Sequence, residues 1–226
     1  MTELPPSPSN EDGLSRTLIG VCVLLMLVFS LAPLLGHGLD VQAARRLLAL
    51  APPGSAQFRF WQPITYAFVH GSWVHLGLNM LGLWLFAPAL EAVRGKLWLA
   101  ETYFISVLWA GIIHVVITPW VSGISVVVGA SGGLYGLMVA YALHFPDDRI
   151  PLLPGVNVRA RWLALGYGLV EVYLLLPHLL PGAAWLDAKL GHVAHLAHLG
   201  GMLGGLMLGQ RPKGWTPPPL DDAPSR

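Results

Sequence analysis

Charged residues are scarce in this chain. Asp, Glu, Lys and Arg make up 11% of its 226 residues, whereas 54% are hydrophobic. Soluble domains carry about 25% charged residues, so the shortage excludes an ordinary soluble surface and predicts an all-α integral membrane protein of one domain. The formal net charge of +1 argues against nucleic acid as a partner, because nucleic-acid binding needs a strongly basic surface.

Cysteine and internal repeats are also nearly missing. Cys22 is the single cysteine, so no internal disulfide can form and a free thiol within an apolar run is expected. The two halves show no convincing repeat, which leaves an inverted-repeat transporter unsupported. Acidic residues near the N-terminus argue against a transit peptide, and the apolar run after them is longer than a signal-peptide core. We interpret that run as a retained first helix.

Apolar segments dominate what is present. A membrane span needs about 20 mostly apolar residues, and six candidates occur, at 17–36, 75–93, 98–119, 129–145, 162–181 and 189–209. The predicted domain organisation is a disordered cytoplasmic tail, a six-helix domain and a polar C-terminal tail, at 1–16, 17–210 and 211–226. The long first loop, 37–74, contains the amphipathic stretch "LDVQAARRLLAL", which predicts an interfacial helix.

Lysine and arginine set the predicted orientation, because they concentrate on the cytoplasmic side of membrane proteins. With the N-terminus inside, the inner segments hold Arg16, Arg94, Lys96, Arg149, Arg159, Arg161, Arg211, Lys213 and Arg226. The outer segments hold Arg45, Arg46, Arg59 and Lys189. This distribution favours an inside N-terminus, so that the second, fourth and sixth spans run inward.

Polar residues occur near the start of each inward-running span. His75 and Asn79, four residues apart, share a helix face, Ser131 begins the fourth span, and His198 lies in the sixth. His198 lies about nine residues below Lys189 in the sixth span, hence roughly 13 Å along the axis. Intramembrane polar residues are costly and usually face a bundle interior or a wet cavity. We therefore expect the three clusters to meet at one depth.

Two simpler explanations remain open for parts of this pattern. Gly132 and Gly136 form a small-xxx-small pair that serves helix packing, and Gly201, Gly205 and Gly209 offer a matching face. His192, His195 and His198 suggest a metal site, but their spacing spreads them around the helix. The sequence shows no obvious carboxylate or cysteine at that layer, so no metal is predicted.

Four other polar residues within or near the spans receive no role: Glu101, His114, Glu171 and His178. His70 is assigned a structural bond within the first loop.

The motifs together resemble those of the rhomboid family of intramembrane serine proteases, over roughly residues 15–210. The family's GxSG motif matches Gly129 to Gly132, with a tyrosine four residues after the serine at Tyr135. Its HxxxN motif matches His75 and Asn79, preceded by His70. Its histidine with glycine at +3 and +7 matches His198, Gly201 and Gly205, and its acidic residue with glycine four later matches Glu91 and Gly95. The pair Trp61 and Gln62 departs from the family's usual Trp-Arg, which puts contacts of the first loop in question.

The resemblance implies a rhomboid-like six-helix bundle and a catalytic dyad of Ser131 and His198, without a third acidic member. Tyr135 would stack on the imidazole. His75, Asn79 and the Ser131 N–H would bind the oxyanion, and Gly129, Gly132, Gly201 and Gly205 would support the site. The implied substrates are single-pass membrane proteins, with membrane lipid as surroundings and no cofactor.

The short fourth span, about 26 Å at 1.5 Å per residue, predicts a water-filled pocket open to the outer face.

A prokaryotic plasma membrane is the predicted location of the protein. The alternatives are a catalytically silent rhomboid-like protein that binds membrane clients and a histidine-based metal transporter. The substrate, cleavage site, pathway and oligomeric state are not readable from the sequence.

Overall fold

The computed structural model describes residues 13–35, 40–121, 126–153, 155–175, 180–190, 194–211 and 214. Helices dominate these ranges, in the order α1 (Leu14–Leu31), α2 (Val41–Leu48), α3 (Gln62–Thr65), α4 (Trp73–Val121), α5 (Ser131–His144), α6 (Ala160–Leu175), α7 (Ala183–Leu190) and α8 (His195–Leu208). An antiparallel hairpin of β1 (Arg149–Leu153) and β2 (Val156–Arg159) joins α5 to α6. The all-α prediction is therefore corrected by one small hairpin.

Within the described ranges, two apolar stretches are long enough to cross a membrane, Leu14–Leu34 and Trp73–Ile117. The second lies in α4, which is broken at Gly95, where φ 81 and ψ 164 are non-helical. Glycine adopts this conformation without steric cost. The break divides α4 into two arms, 73–94 and 96–121, at the positions predicted for the second and third spans.

The remaining predicted spans correspond to shorter helices. The helices α5, α6 and α8 contain 14, 16 and 14 residues, below the roughly 20 residues that a full crossing needs. The six-span count stays a prediction.

Both ends of α1 differ slightly from the predicted first span. The helix begins at Leu14 rather than 17, because the Glu91 carboxylate caps its first turn. It accepts hydrogen bonds from the Leu14 N–H at 2.7 Å and from the Ser15 N–H and hydroxyl at 3.1 and 2.8 Å. A carboxylate at a helix N-terminus satisfies free N–H groups and complements the helix dipole. The predicted tails lie mostly outside the described residues.

The predicted sixth span is wrong at its start. Lys189 belongs to the separate helix α7, and α8 begins only at His195; residues 191–193, including His192, lie outside the described ranges. The depth of His198 computed along one continuous helix from Lys189 therefore does not hold. His198 lies instead in the first turn of α8.

Gln62, the departure from the family pattern, holds the first loop together. Its side chain is fully buried. The amide oxygen accepts from the Ala51 N–H at 3.1 Å, and the amide nitrogen donates to the carbonyls of Gln57 and Arg46 at 2.9 and 3.2 Å. Since buried polar groups are costly unless they are bonded, Gln62 supplies the loop with contacts that the sequence left in question.

Glycines bring α5 and α8 into backbone contact. A Cβ on Gly201 would overlap the carbonyl oxygen of Gly132, and one on Gly205 would overlap that of Gly136. Gly209 continues the same face against Ala140. The predicted glycine faces therefore do meet, and any larger residue at these positions would push the helices apart.

Candidate active site

Ser131 is the first residue of α5, and it follows a backbone turn that requires glycine. Gly129 has a φ of 122, in a region that L-residues rarely adopt. Because the helix begins at Ser131, its N–H has no intrahelical acceptor. The half-buried hydroxyl thus lies at the positive end of a helix, beside free N–H groups.

His198 contacts Ser131 directly, as the sequence predicts. The distance between the serine Oγ and the histidine Nε2 is 2.8 Å, a normal hydrogen bond. His198 is 6% exposed. The glycine contact between α5 and α8 brings the two side chains within reach, so packing and the polar pair depend on the same surface.

Tyr135 stacks on His198 in the predicted manner. The ring centroids are 4.1 Å apart and the planes are inclined by 12°. The tyrosine hydroxyl extends past the imidazole and donates to Glu171 Oε1 at 2.6 Å. Tyr135 therefore restrains the imidazole ring from one face while its hydroxyl binds a neighbouring carboxylate.

Glu171 corrects the expectation that no carboxylate lies at this layer. It is on α6 and is 4% exposed. Its Oε1 lies 2.8 Å from His198 Nδ1, and its Oε2 lies 2.6 Å from His195 Nδ1. The sequence did carry a signal, because a single glutamate in an apolar helix is a functional-site candidate by default.

The polar network continues from Glu171 toward the end of α7. His195 Nε2 lies 2.9 Å from Asp187 Oδ1, and the Asp187 side chain is 18% exposed. His195 thus bridges two carboxylates. Within the described ranges, no group of three or more His, Cys, Asp or Glu side chains is arranged to hold a metal ion.

His75 and Asn79 lie on the first arm of α4, beside the turn before Ser131. A Cβ placed on Gly129 would lie 2.7 Å from His75 Nε2, so this ring is in contact with the turn. Asn79 is 3% exposed, and its amide donates to the His75 carbonyl at 2.8 Å. That bond uses one of two amide hydrogens. Their oxyanion role stays a prediction.

His70 bonds to the chain before Ser131 and also lies against the backbone of Phe68 in the first loop. Its Nε2 accepts from the Ala130 N–H at 3.3 Å. Burial and the neighbouring His75 lower the pKa of His70 to about 4. The ring is therefore neutral at pH 7 and can accept that hydrogen bond.

The non-helical chain before Ser131 is bonded to the first loop. Val127 and Leu50 exchange two backbone hydrogen bonds, at 2.9 and 3.0 Å, and the Gly129 N–H donates to the Tyr66 carbonyl at 2.9 Å. Irregular backbone at membrane depth is tolerated only where such groups are satisfied or face water. The predicted pocket depends partly on residues 122–125, outside the described ranges, and stays a prediction.

The fold and the site together define a class of protein. It is a multi-pass membrane protein of apolar helices, in which a serine hydroxyl and an imidazole are hydrogen-bonded between two neighbouring helices. The family model for the rhomboid domain matches residues 57–211. The chain belongs to the rhomboid family.

Similar proteins come from several kinds of organism. Rhomboid protein 1, mitochondrial, of Saccharomyces cerevisiae is 30% identical over 63% of this chain and 39% of its own length. Rhomboid protease GlpG of Klebsiella pneumoniae is 29% identical over 88% of this chain and 63% of its own. Rhomboid-related protein 3 of Homo sapiens is 28% identical over 66% of this chain and 35% of its own length. The chain thus spans about a third to two thirds of these relatives.

Proposed function

We propose that this protein is an intramembrane serine endopeptidase that cleaves single-pass transmembrane substrates. The observation that carries the proposal is the 2.8 Å contact between Ser131 Oγ and His198 Nε2. A serine hydroxyl becomes an effective nucleophile when a base accepts its proton. The 29% identity to a protein named rhomboid protease GlpG supports the same activity.

The reaction follows from the positions of these two side chains. Ser131 Oγ attacks the peptide carbonyl carbon while its proton passes to His198 Nε2. The tetrahedral intermediate then breaks the C–N bond, and His198 gives the proton to the departing amine. Water attacks the acyl-serine ester with His198 as base, the carboxyl product leaves, and the Ser131 hydroxyl regains its proton.

The oxyanion of the intermediate needs donors placed in advance. The free N–H of Ser131 at the start of α5 is one donor, and the helix dipole strengthens it. His75, against the Gly129 turn, and the second amide hydrogen of Asn79 are proposed as the others. The segment that carries the Ser131 N–H is held by backbone bonds to the first loop and by the glycine contact with α8.

The proposed topology has six spans, a cytoplasmic N-terminus and a site that opens to the outer face of a prokaryotic plasma membrane. Its support is the distribution of lysine and arginine and the 14-residue length of α5, which is too short for a full crossing. Substrate helices would reach the site past α6. A reporter fused in turn to each predicted loop tests the orientation, and a cytoplasmic signal from the first loop would reverse it.

The activity is tested with purified protein in detergent and a transmembrane reporter substrate. Wild type, Ser131→Ala and His198→Ala are compared, with Ser55→Ala as the control because Ser55 is exposed in the first loop. We expect cleavage by wild type and Ser55→Ala, none by the other two, and no effect of a chelator. Absence of cleavage by wild type on all rhomboid substrates would favour a silent client-binding protein, and chelator-sensitive metal flux would favour a transporter.

A further inference from the structure

We propose that Glu171 is a positioning residue that extends the serine–histidine pair to a serine–histidine–glutamate array. The inference rests on the proposed function. The carboxylate Oε1 and the Ser131 Oγ lie on opposite nitrogens of His198, each at 2.8 Å. The imidazole is thus bonded at both ends, and this order of hydroxyl, imidazole and carboxylate suits general-base catalysis.

The carboxylate fixes which nitrogen of His198 carries the proton. An ionised carboxylate can only accept hydrogen bonds, so Nδ1 must donate to Glu171. Nε2 is then left with its lone pair directed at the Ser131 hydroxyl, the arrangement that a general base needs. Without Glu171, nothing else among the described contacts of His198 would hold Nδ1–H.

The negative charge also favours the transition state. When His198 takes the serine proton it becomes an imidazolium, and an adjacent carboxylate stabilises that cation. The effect is strong here because Glu171 is 4% exposed and His198 is 6% exposed, and charges interact more strongly away from water. The carboxylate therefore contributes more to the reacting state than to the resting enzyme.

Three donors hold the carboxylate itself. Oε1 accepts from the Tyr135 hydroxyl as well as from His198, and Oε2 accepts from His195. Asp187 lies on the other nitrogen of His195. If both carboxylates are ionised, both nitrogens of His195 must donate, and the ring is a cation between two anions. Buried charges need such pairing, so this chain of groups explains how Glu171 stays charged beside His198.

A purely structural role is the competing explanation, because the same bonds fasten α6 to α8. The two roles differ in what they predict. A structural bond would affect stability and leave kcat and its pH dependence alone in any variant that still folds. A positioning carboxylate would affect kcat while leaving KM nearly unchanged.

The test compares wild type with Glu171→Gln and Glu171→Asp on the reporter substrate. Glutamine keeps an acceptor of the same shape but removes the charge, and aspartate keeps the charge on a shorter side chain. Glu101→Gln is the matched control, because Glu101 is an exposed carboxylate on α4. We expect Glu171→Gln to lower kcat by about 10²- to 10⁴-fold with KM within about twofold. Glu171→Asp should recover part of the rate, and Glu101→Gln should match wild type.

The pH profile of kcat/KM adds a readout that a structural bond would not move. The charged and titratable groups that surround His198 are His75 on α4, Tyr135 on α5, Glu171 on α6, Asp187 on α7 and His195 on α8. Loss of the Glu171 charge should shift the acidic limb of the profile to lower pH. Without the negative carboxylate, the imidazolium form of His198 is less stable. A folded Glu171→Gln protein with wild-type kcat and an unshifted limb would overturn the proposal.

Wild-type protein provides a test that does not depend on a folded Glu171 variant. Nitrogen NMR of ¹⁵N-histidine protein, assigned with His198→Ala, reports which ring nitrogen carries the proton. We expect Nδ1 to be protonated and Nε2 to be free at neutral pH, and the opposite tautomer would refute the role of Glu171. If wild type cleaves no substrate, the proposed function fails while this tautomer result stands on its own.

Discussion

On its α5 side, the helix that carries His198 meets its neighbour through glycine backbone, whereas on its α6 side it meets the charged side chain of Glu171. Gly201 lies against Gly132 with no room for a Cβ. Glu171 instead reaches His198 through a hydrogen bond at 2.8 Å. The glycine side sets the distance between Ser131 and the imidazole, and the polar side sets the orientation of the ring and which of its nitrogens carries the proton.

Among changes outside the array of Ser131, His198 and Glu171, removal of an oxyanion donor is expected to have the largest effect on catalysis. Asn79→Ala should lower kcat by about 100- to 1000-fold with little change in KM, because the oxyanion exists only after attack. Steady-state kinetics on the reporter substrate measures this. Asn157→Ala, in the exposed strand β2, is the matched control. A rise in KM alone would remove Asn79 from the oxyanion site.

The glycine contact between α5 and α8 can be disrupted by adding a single methyl group. Gly201→Ala should lower kcat by about 100-fold, since a displacement of about 1 Å at a catalytic pair is enough for that loss. Overpacking of this kind also costs about 1–3 kcal/mol of stability. Gly20→Ala is the control, because a Cβ there meets nothing within 4 Å. Wild-type kinetics for Gly201→Ala would show that this contact does not set the distance between Ser131 and His198.

His70 provides a pH test on the loop side of the site. Its folded-state pKa is lowered to about 4 from 6.5, so its stabilising contribution is complete above pH 6.5 and is lost as the pH falls toward 4. The free energy of unfolding should drop by up to about 3 kcal/mol over this window. Thermal unfolding at several pH values measures it. His70→Gln should show a smaller pH slope, and an equal slope would contradict the assignment.

The smallest effect is expected from the hydroxyl of Tyr135. Tyr135→Phe keeps the stacked ring but removes one donor to Glu171, which a typical hydrogen bond of about 1 kcal/mol converts to roughly a fivefold loss in kcat. Tyr173→Phe is the control, because its hydroxyl bonds the Pro181 carbonyl instead. A loss as large as that of Glu171→Gln would mean that the hydroxyl acts on the substrate directly.

The sequence was sufficient to predict the contact between Ser131 and His198. Both residues lie in local motifs, and the glycine spacings on the two helices indicate which faces can approach closely. Glu171 was missed because its role depends on how α6 packs against α8, which no local spacing records. The bond between His70 and Ala130 was missed for the same reason, since the two residues are 60 positions apart.

The separation of α7 from α8 was also not predictable from hydropathy. Residues 189–209 form one apolar run in which histidines interrupt but do not divide the pattern. The structure instead places His195 at the first position of α8, between two carboxylates. The start of α8 at His195 coincides with hydrogen bonds to Glu171 on α6 and Asp187 on α7. A hydropathy pattern along one segment cannot show contacts with other helices.

The most direct test of the central claim is to label the intact protein with a fluorophosphonate, which reacts with serines activated by a neighbouring base. Mass spectrometry then identifies the modified residue. We expect near-stoichiometric labelling at Ser131, abolished by His198→Ala although the hydroxyl is still present. Labelling of Ser131 that is equally fast without His198, or no labelling of Ser131 in folded wild-type protein, would contradict it.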